Sequence, residues 1–230
     1  MSAFEILSSS AAVTALFAGD QPIARGPFLP EIGRPFAEQF QFGSLGLVPT
    51  VAGAQAGVWQ AENGQFKEGA HVALIENCRG SITELSATVA EVDTKTAEKA
   101  LREIWGTLGR LYRQNHSDAE RAVNLDQLGT FAFESSATVK GNKTFAELFP
   151  LAEKIRAEVA NNVEAPVKTF EEPMFRMGID MPLLLGRRLV SRRVVFEPRY
   201  YVQDKDKVFF ARAPIRSEQL EQVLRKIFGG

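Results

Sequence analysis

The chain has 230 residues, 45% hydrophobic and 24% charged, with a net charge of −1. That is enough apolar material for one large core or two small ones. A single cysteine excludes an internal disulfide and a multi-cysteine metal site, and no apolar run approaches the roughly 20 residues that cross a bilayer as a helix.

One cysteine fits a reducing compartment, so a cytoplasmic location is expected, with no membrane partner. Charge is uneven along the chain. Residues 1–66 carry two basic and five acidic groups, whereas residues 187–230 carry eleven basic and five acidic. Such asymmetry points to a polyanion partner or to head-to-tail contact between subunits.

Phe4, Leu7, Ala11 and Ala15 recur at helical steps and predict a short helix in residues 1–18. No Lys or Arg precedes Arg25, and Glu5 lies near the start, so this stretch reads as mature sequence rather than a signal peptide. Residues 19–57 are punctuated by Pro22, Gly26, Pro27, Pro30, Gly33, Pro35 and further glycines, which predicts an irregular arm over residues 1–57. The arm also carries Phe28, Leu29, Ile32, Phe36 and Phe40. Leaving such side chains in water costs about 1.5–3 kcal/mol each, so the arm lies over its own core or packs on a neighbouring subunit. Asn63-Gly64 predicts a hairpin turn between two short strands.

Residues 70–112 give the clearest pattern. Residues 70–77 read as a strand, Cys78-Arg79-Gly80 as a turn, and 81–92 as a second strand with Leu85, Ala87 and Val89 on one face. From Asp93 the period changes. Ala97, Ala100, Leu101, Ile104, Trp105, Leu108, Leu111 and Tyr112 form one stripe of a helix, which Asp93 or Thr94 can cap. Gly106 and Gly109 in that helix read as sites of close backbone packing.

A strand is predicted over 128–139, then a turn at Gly141-Asn142 and a capping box of Thr144 and Glu147. The helix that follows continues through Leu148, Ala152, Ile155 and Val159, kinked or begun at Pro150. Ser86-Ala87-Thr88-Val89 recurs as Ser136-Ala137-Thr138-Val139, an echo that suggests internal duplication without establishing it. Residues 161–166 read as a linker and 167–181 as extended. Residues 193–203 alternate, with Val194 and Phe196 on one face and Arg193, Glu197, Arg199 and Tyr201 on the other. Residues 208–211 read as a strand, and Ser217 opens a last helix with Leu220, Val223, Leu224, Ile227 and Phe228 as its stripe.

The candidate chemistry is sparse. Lys143-Thr144 after a strand lacks the glycines that bend a P-loop around phosphate. His71 and Cys78 fall on opposite faces of their predicted strand, and His116 sits in a polar loop, which argues against a cysteine–histidine dyad and a transition-metal site. Glu171-Glu172 and Asp204/Asp206 read as solvated turns. The most distinctive feature is Arg187, Arg188, Arg192, Arg193 and Arg199 with Tyr201. Basic groups interleaved with aromatics hold phosphates and stack bases, or meet an acidic protein surface. With Phe28, Phe36 and Phe40 of the arm, these residues form the candidate interaction surface.

The expectation is an α+β protein: a mostly antiparallel sheet, about three amphipathic helices on one side, an arm at 1–57, and a single domain at 58–230 with a subdivision near 161–166. It reads as a non-enzymatic interaction or assembly subunit without a cofactor, whose partners are other protein subunits, itself or another. The alternatives are a nucleic-acid-binding component and an enzyme with dispersed catalytic residues.

Overall fold

The computed structural model describes residues 4–48, 57–116, 124–151, 154, 175–182, 189–198 and 207–229. The fold is α+β, with antiparallel strands and helices packed on their faces. The chain divides into two compact units, residues 10–134 and residues 1–9 with 135–230, rather than at residue 57.

The 10–134 unit contains most of β1 (Phe4–Phe17), then a 3-10 helix (Pro22–Phe28), α1 (Pro30–Phe40), β2 (Ser44–Leu47), β3 (Trp59–Glu68), β4 (His71–Ser81), β5 (Glu84–Ala90), α2 (Thr94–Asn115) and the single turn α3 (Leu125–Leu128). Its strands lie in the order β2-β3-β4-β5-β1. The helix expected near the N-terminus is a strand. Ala11, Val13, Ala15 and Phe17 are buried at every second position, and the first three pair with Val89, Ala87 and Leu85. Helical spacing and strand alternation share the Ala11 and Ala15 positions, and the alternation decides because β5 supplies a partner.

The segment expected to be irregular is mostly regular. Pro30 occupies a first-turn position of α1, where its missing N–H costs nothing. Gly33 breaks nothing either. A Cβ there would lie 2.5 Å from the Pro27 carbonyl oxygen, so the glycine lets α1 fold back against the 3-10 helix. α1 ends at Gln41, which adopts φ 52° and donates to the Ala37 and Glu38 carbonyls.

Both expected turns are displaced. Asn63-Gly64 lies inside β3, where Asn63 has φ 57° and the buried positions switch from Trp59 and Ala61 to Gly64 and Phe66. Opposite it, β4 switches from Ala73 and Ile75 to Cys78 and Gly80, so the apolar faces stay in register. The chain reverses at Gly69, φ 60°. Cys78-Arg79-Gly80 likewise belongs to β4, and the next turn falls after Ser81, whose hydroxyl meets the Thr83 N–H at 3.2 Å.

α2 is as read. The Asp93 carboxylate accepts from the Thr96 N–H at 2.8 Å, and Ala97, Ala100, Leu101, Ile104, Trp105, Leu108 and Leu111 are buried in one cluster with Leu85, Ala87 and Val89. α1 contributes Ile32, Phe36 and Phe40 to the same cluster. Gly109 is buried, as close packing requires, whereas Gly106 is exposed and a Cβ there would meet nothing.

The other unit contains the start of β1, most of β6 (Gly129–Gly141), the capped turn α4 (Phe145–Leu148), β7 (Phe175–Pro182), β8 (Leu189–Pro198), β9 (Val208–Ala213) and α5 (Ser217–Gly229). Strands run β6-β9-β8-β7, each antiparallel to its neighbour. The expected capping box at Thr144 and Glu147 is complete in both directions. Leu220, Leu224 and Phe228 of α5 pack on Ala137, Val139, Phe196, Phe209 and Ala211. Of the residues read as the α5 stripe, Val223 is exposed and Ile227 is half-buried. The linker at 161–166, the acidic pair Glu171-Glu172 and most of the helix expected after Pro150 lie outside the described residues.

Candidate functional site

The arginine-rich candidates are only partly placed. Arg187, Arg188, Arg199 and Tyr201 lie outside the described residues. Arg192 and Arg193 are in β8, at register positions opposite Ile179 and Gly178 of β7. Two residues on, Val195 stands opposite Arg212 of β9. The Nε of Arg212 is buried and has no hydrogen-bond partner among the described residues.

The aromatic candidates divide. Phe36 and Phe40 are 0% and 2% exposed and pack on each other, on Phe42 and, for Phe36, on Trp59. They face the core of their own unit. Phe28 is half-buried and lines a cleft.

That cleft lies in the 10–134 unit. It measures about 500 Å³ and is lined by Pro22, Arg25, Phe28, Leu29, Gly57 and Tyr112. The 3-10 helix supplies Pro22, Arg25 and Phe28 from one short, anchored turn. Its Ala24 is fully buried, and the Ala24 carbonyl accepts a 2.6 Å hydrogen bond from the Trp59 indole. Gln21 donates to the Ile82 carbonyl at 2.8 Å, and Leu29 donates to that of Gly26 at 2.9 Å. With Ala24 pinned inward, Arg25 points outward and is exposed. Gly57 completes the wall with φ 105°, a conformation that glycine alone adopts readily. The far wall is Tyr112, whose ring stacks on His116 at 4.3 Å and 9°.

The other polar clusters of this unit are structural. Arg102 holds Asp126 through two hydrogen bonds of 2.7 and 3.0 Å and Glu98 through two of 2.7 and 3.3 Å, and its guanidinium lies 5.0 Å from the Phe131 ring centre. The bonds to Asp126 and Glu98 push the Arg102 pKa up, and the same arginine holds the Asp126 carboxyl below the usual carboxylate range. Cys78 is fully buried, and burial pushes its thiol well above the ordinary range, so it stays a neutral core group. His71 is exposed at the start of β4. Among the described residues no group of His, Cys, Asp and Glu is placed to hold a metal ion, and no described helix is long and apolar enough to cross a membrane.

Sequence reading placed Phe28 among the candidates but missed Arg25 and Tyr112. Arg25 is one of only two cations in residues 1–66 and sits between Pro22 and Phe28, which is the one signal that was available. No protein-family model matches the chain, and no characterised protein shows significant sequence similarity to it.

Proposed function

We propose that the chain is a non-enzymatic interaction or assembly subunit, and that it joins another protein along β2. One observation carries this reading: β2 is a short strand at the end of its sheet, paired among the described residues with β3 alone. Val48 donates to the Val58 carbonyl, so by the alternation of an antiparallel ladder the Leu47 N–H points away from β3. Leu47 itself is 66% exposed. An edge strand with free N–H groups and an apolar side chain is a template for another strand. Val72 and Leu74, near the end of the β3–β4 hairpin, add further exposed apolar surface.

Molar mass in solution across a range of concentrations tests the reading. The intact chain should exceed the monomer mass, and Leu47→Lys should shift it toward monomer with an unchanged circular dichroism spectrum, because an edge lysine opposes strand addition. A chain that stays monomeric at high concentration removes self-assembly. A mass increase only on addition of single-stranded nucleic acid favours the alternative reading through the arginine-rich stretch, and that binding must weaken steeply with salt.

A further inference from the structure

We propose that the cleft between the 3-10 helix and the end of α2 binds a small amphipathic monocarboxylate, with Arg25 as the anion anchor. The volume of about 500 Å³ lies within the roughly 300–1,000 Å³ of small-molecule sites. The lining combines the apolar bodies of Pro22, Phe28, Leu29 and Tyr112 with one cation. Arg25 has no ion pair and no side-chain hydrogen bond among the described residues. In that it differs from Arg34, Arg102 and Arg225, which pair with Glu38, with Glu98 and Asp126, and with Glu221. Among the described residues no acidic side chain lines the cleft, so none of them competes for the guanidinium.

The cation also has a fixed base. A Cβ on Gly57 would lie 3.4 Å from the Arg25 Nε and 3.8 Å from its Cζ, so the guanidinium lies beside Gly57, about one methyl group from its backbone. Its helix is fixed by the Trp59–Ala24 hydrogen bond. A planar guanidinium offers two parallel N–H groups, the geometry that a carboxylate accepts. One cation asks for one negative charge. The apolar wall asks for an aryl or alkyl body behind it, in ring-to-ring or edge contact with Phe28 and Tyr112.

The ligand is either a free small acid or the carboxyl terminus of a polypeptide with an apolar last residue. Both present the same chemistry. The intact chain is titrated with phenylpropionate, with its neutral amide, and with N-acetylphenylalanine as a mimic of a chain terminus, followed by backbone-amide NMR and calorimetry. The acid should bind saturably, about tenfold or more tighter than the amide, as a charge-assisted bidentate pair requires. Arg25→Gln should abolish that difference by weakening the acid far more than the amide, and Tyr112→Ala should weaken both. Preference for N-acetylphenylalanine identifies a polypeptide terminus as the source, and preference for phenylpropionate a free acid. Equal binding of acid and amide, acid binding insensitive to Arg25→Gln, or no saturable binding of either would overturn the proposal. Arg25 is exposed and outside the core, so the variant folds and the result is readable.

Discussion

Gly80→Ala tests the packing that holds the candidate cleft together. Gly80 stands opposite Trp59 in the β3–β4 ladder, and the indole lies across it. An added methyl carbon would sit 2.5 Å from Trp59 Cε2 and Cζ2 and 2.7 Å from Nε1. The ring has nowhere to go. It is 1% exposed, it meets Phe36 edge-on at 5.5 Å, and its Nε1 is tied to the Ala24 carbonyl. Overpacking a filled core costs about 1–3 kcal/mol, and displacing the indole from a buried carbonyl adds about 1–3 kcal/mol. The expected loss is about 3 kcal/mol once partial relaxation is allowed, which for a urea m-value of about 2 kcal/mol/M moves the midpoint by roughly 1.5 M. Both tryptophans, Trp59 and Trp105, lie in the 10–134 unit, so tryptophan fluorescence follows that unit alone. In a Trp59→Leu background, read through Trp105, the added methyl should cost far less, because residues in contact are not additive. A loss within about 0.5 kcal/mol in the native background, the range of an innocuous surface change, would refute the wedge.

Two further outcomes follow from the same unit. Asp93→Ala should cost about 0.5–2 kcal/mol at neutral pH by unfolding titration, as loss of an N-cap does. Partial burial pulls the Asp93 pKa up, but the Thr96 hydrogen bonds and the Lys95 charge outweigh it and leave the carboxyl below its ordinary value. A depressed carboxylate stabilises the fold above the unfolded pKa of about 3.9 and loses that contribution as pH falls through the folded value. The difference between wild type and variant should therefore be constant at neutral pH and shrink below about pH 4. Deleting residues 1–57 removes β1, α1 and β2, and with them the buried Val13, Ile32, Phe36 and Phe40. The remainder should lose cooperative unfolding and bind a hydrophobic dye; a folded remainder would return these residues to the status of a detachable arm.

What was legible in the sequence followed one rule. Where a single period ran uninterrupted beside a cap, as from Asp93 through Leu111, the cap and every residue of the apolar stripe hold. β5 and the apolar positions of α5 near Leu224 and Phe228 were legible for the same reason. The N-terminal strand was obscured because alanines at residues 11 and 15 satisfy both periods, and only pairing with β5 decides between them. Asn63-Gly64 was misplaced because left-handed backbone serves a switch of strand face as well as a turn. The site was less legible than the fold. Arg25, Gly57 and Tyr112 lie far apart in sequence and carry no shared motif, and only the packing of the 3-10 helix against α2 brings them together.

The glycines and prolines of residues 19–57 deserve a different physical reading from the one their composition invites. Breaker residues argue by composition against regular structure, yet at Gly33 the missing side chain is a contact. It admits the Pro27 carbonyl at a distance no Cβ tolerates, and the close approach sets the angle between the 3-10 helix and α1. At Gly57 the missing side chain is a space. Any other residue would be strained at φ 105°, and its Cβ would come into contact with the Arg25 guanidinium. Pro22 then fixes the entry to the turn that carries Arg25 outward while Trp59 pins Ala24 inward. The segment that composition marks as irregular is therefore the one that most tightly positions the cleft. Its low charge fits the proposed site: among the described lining residues Arg25 is the one charged group.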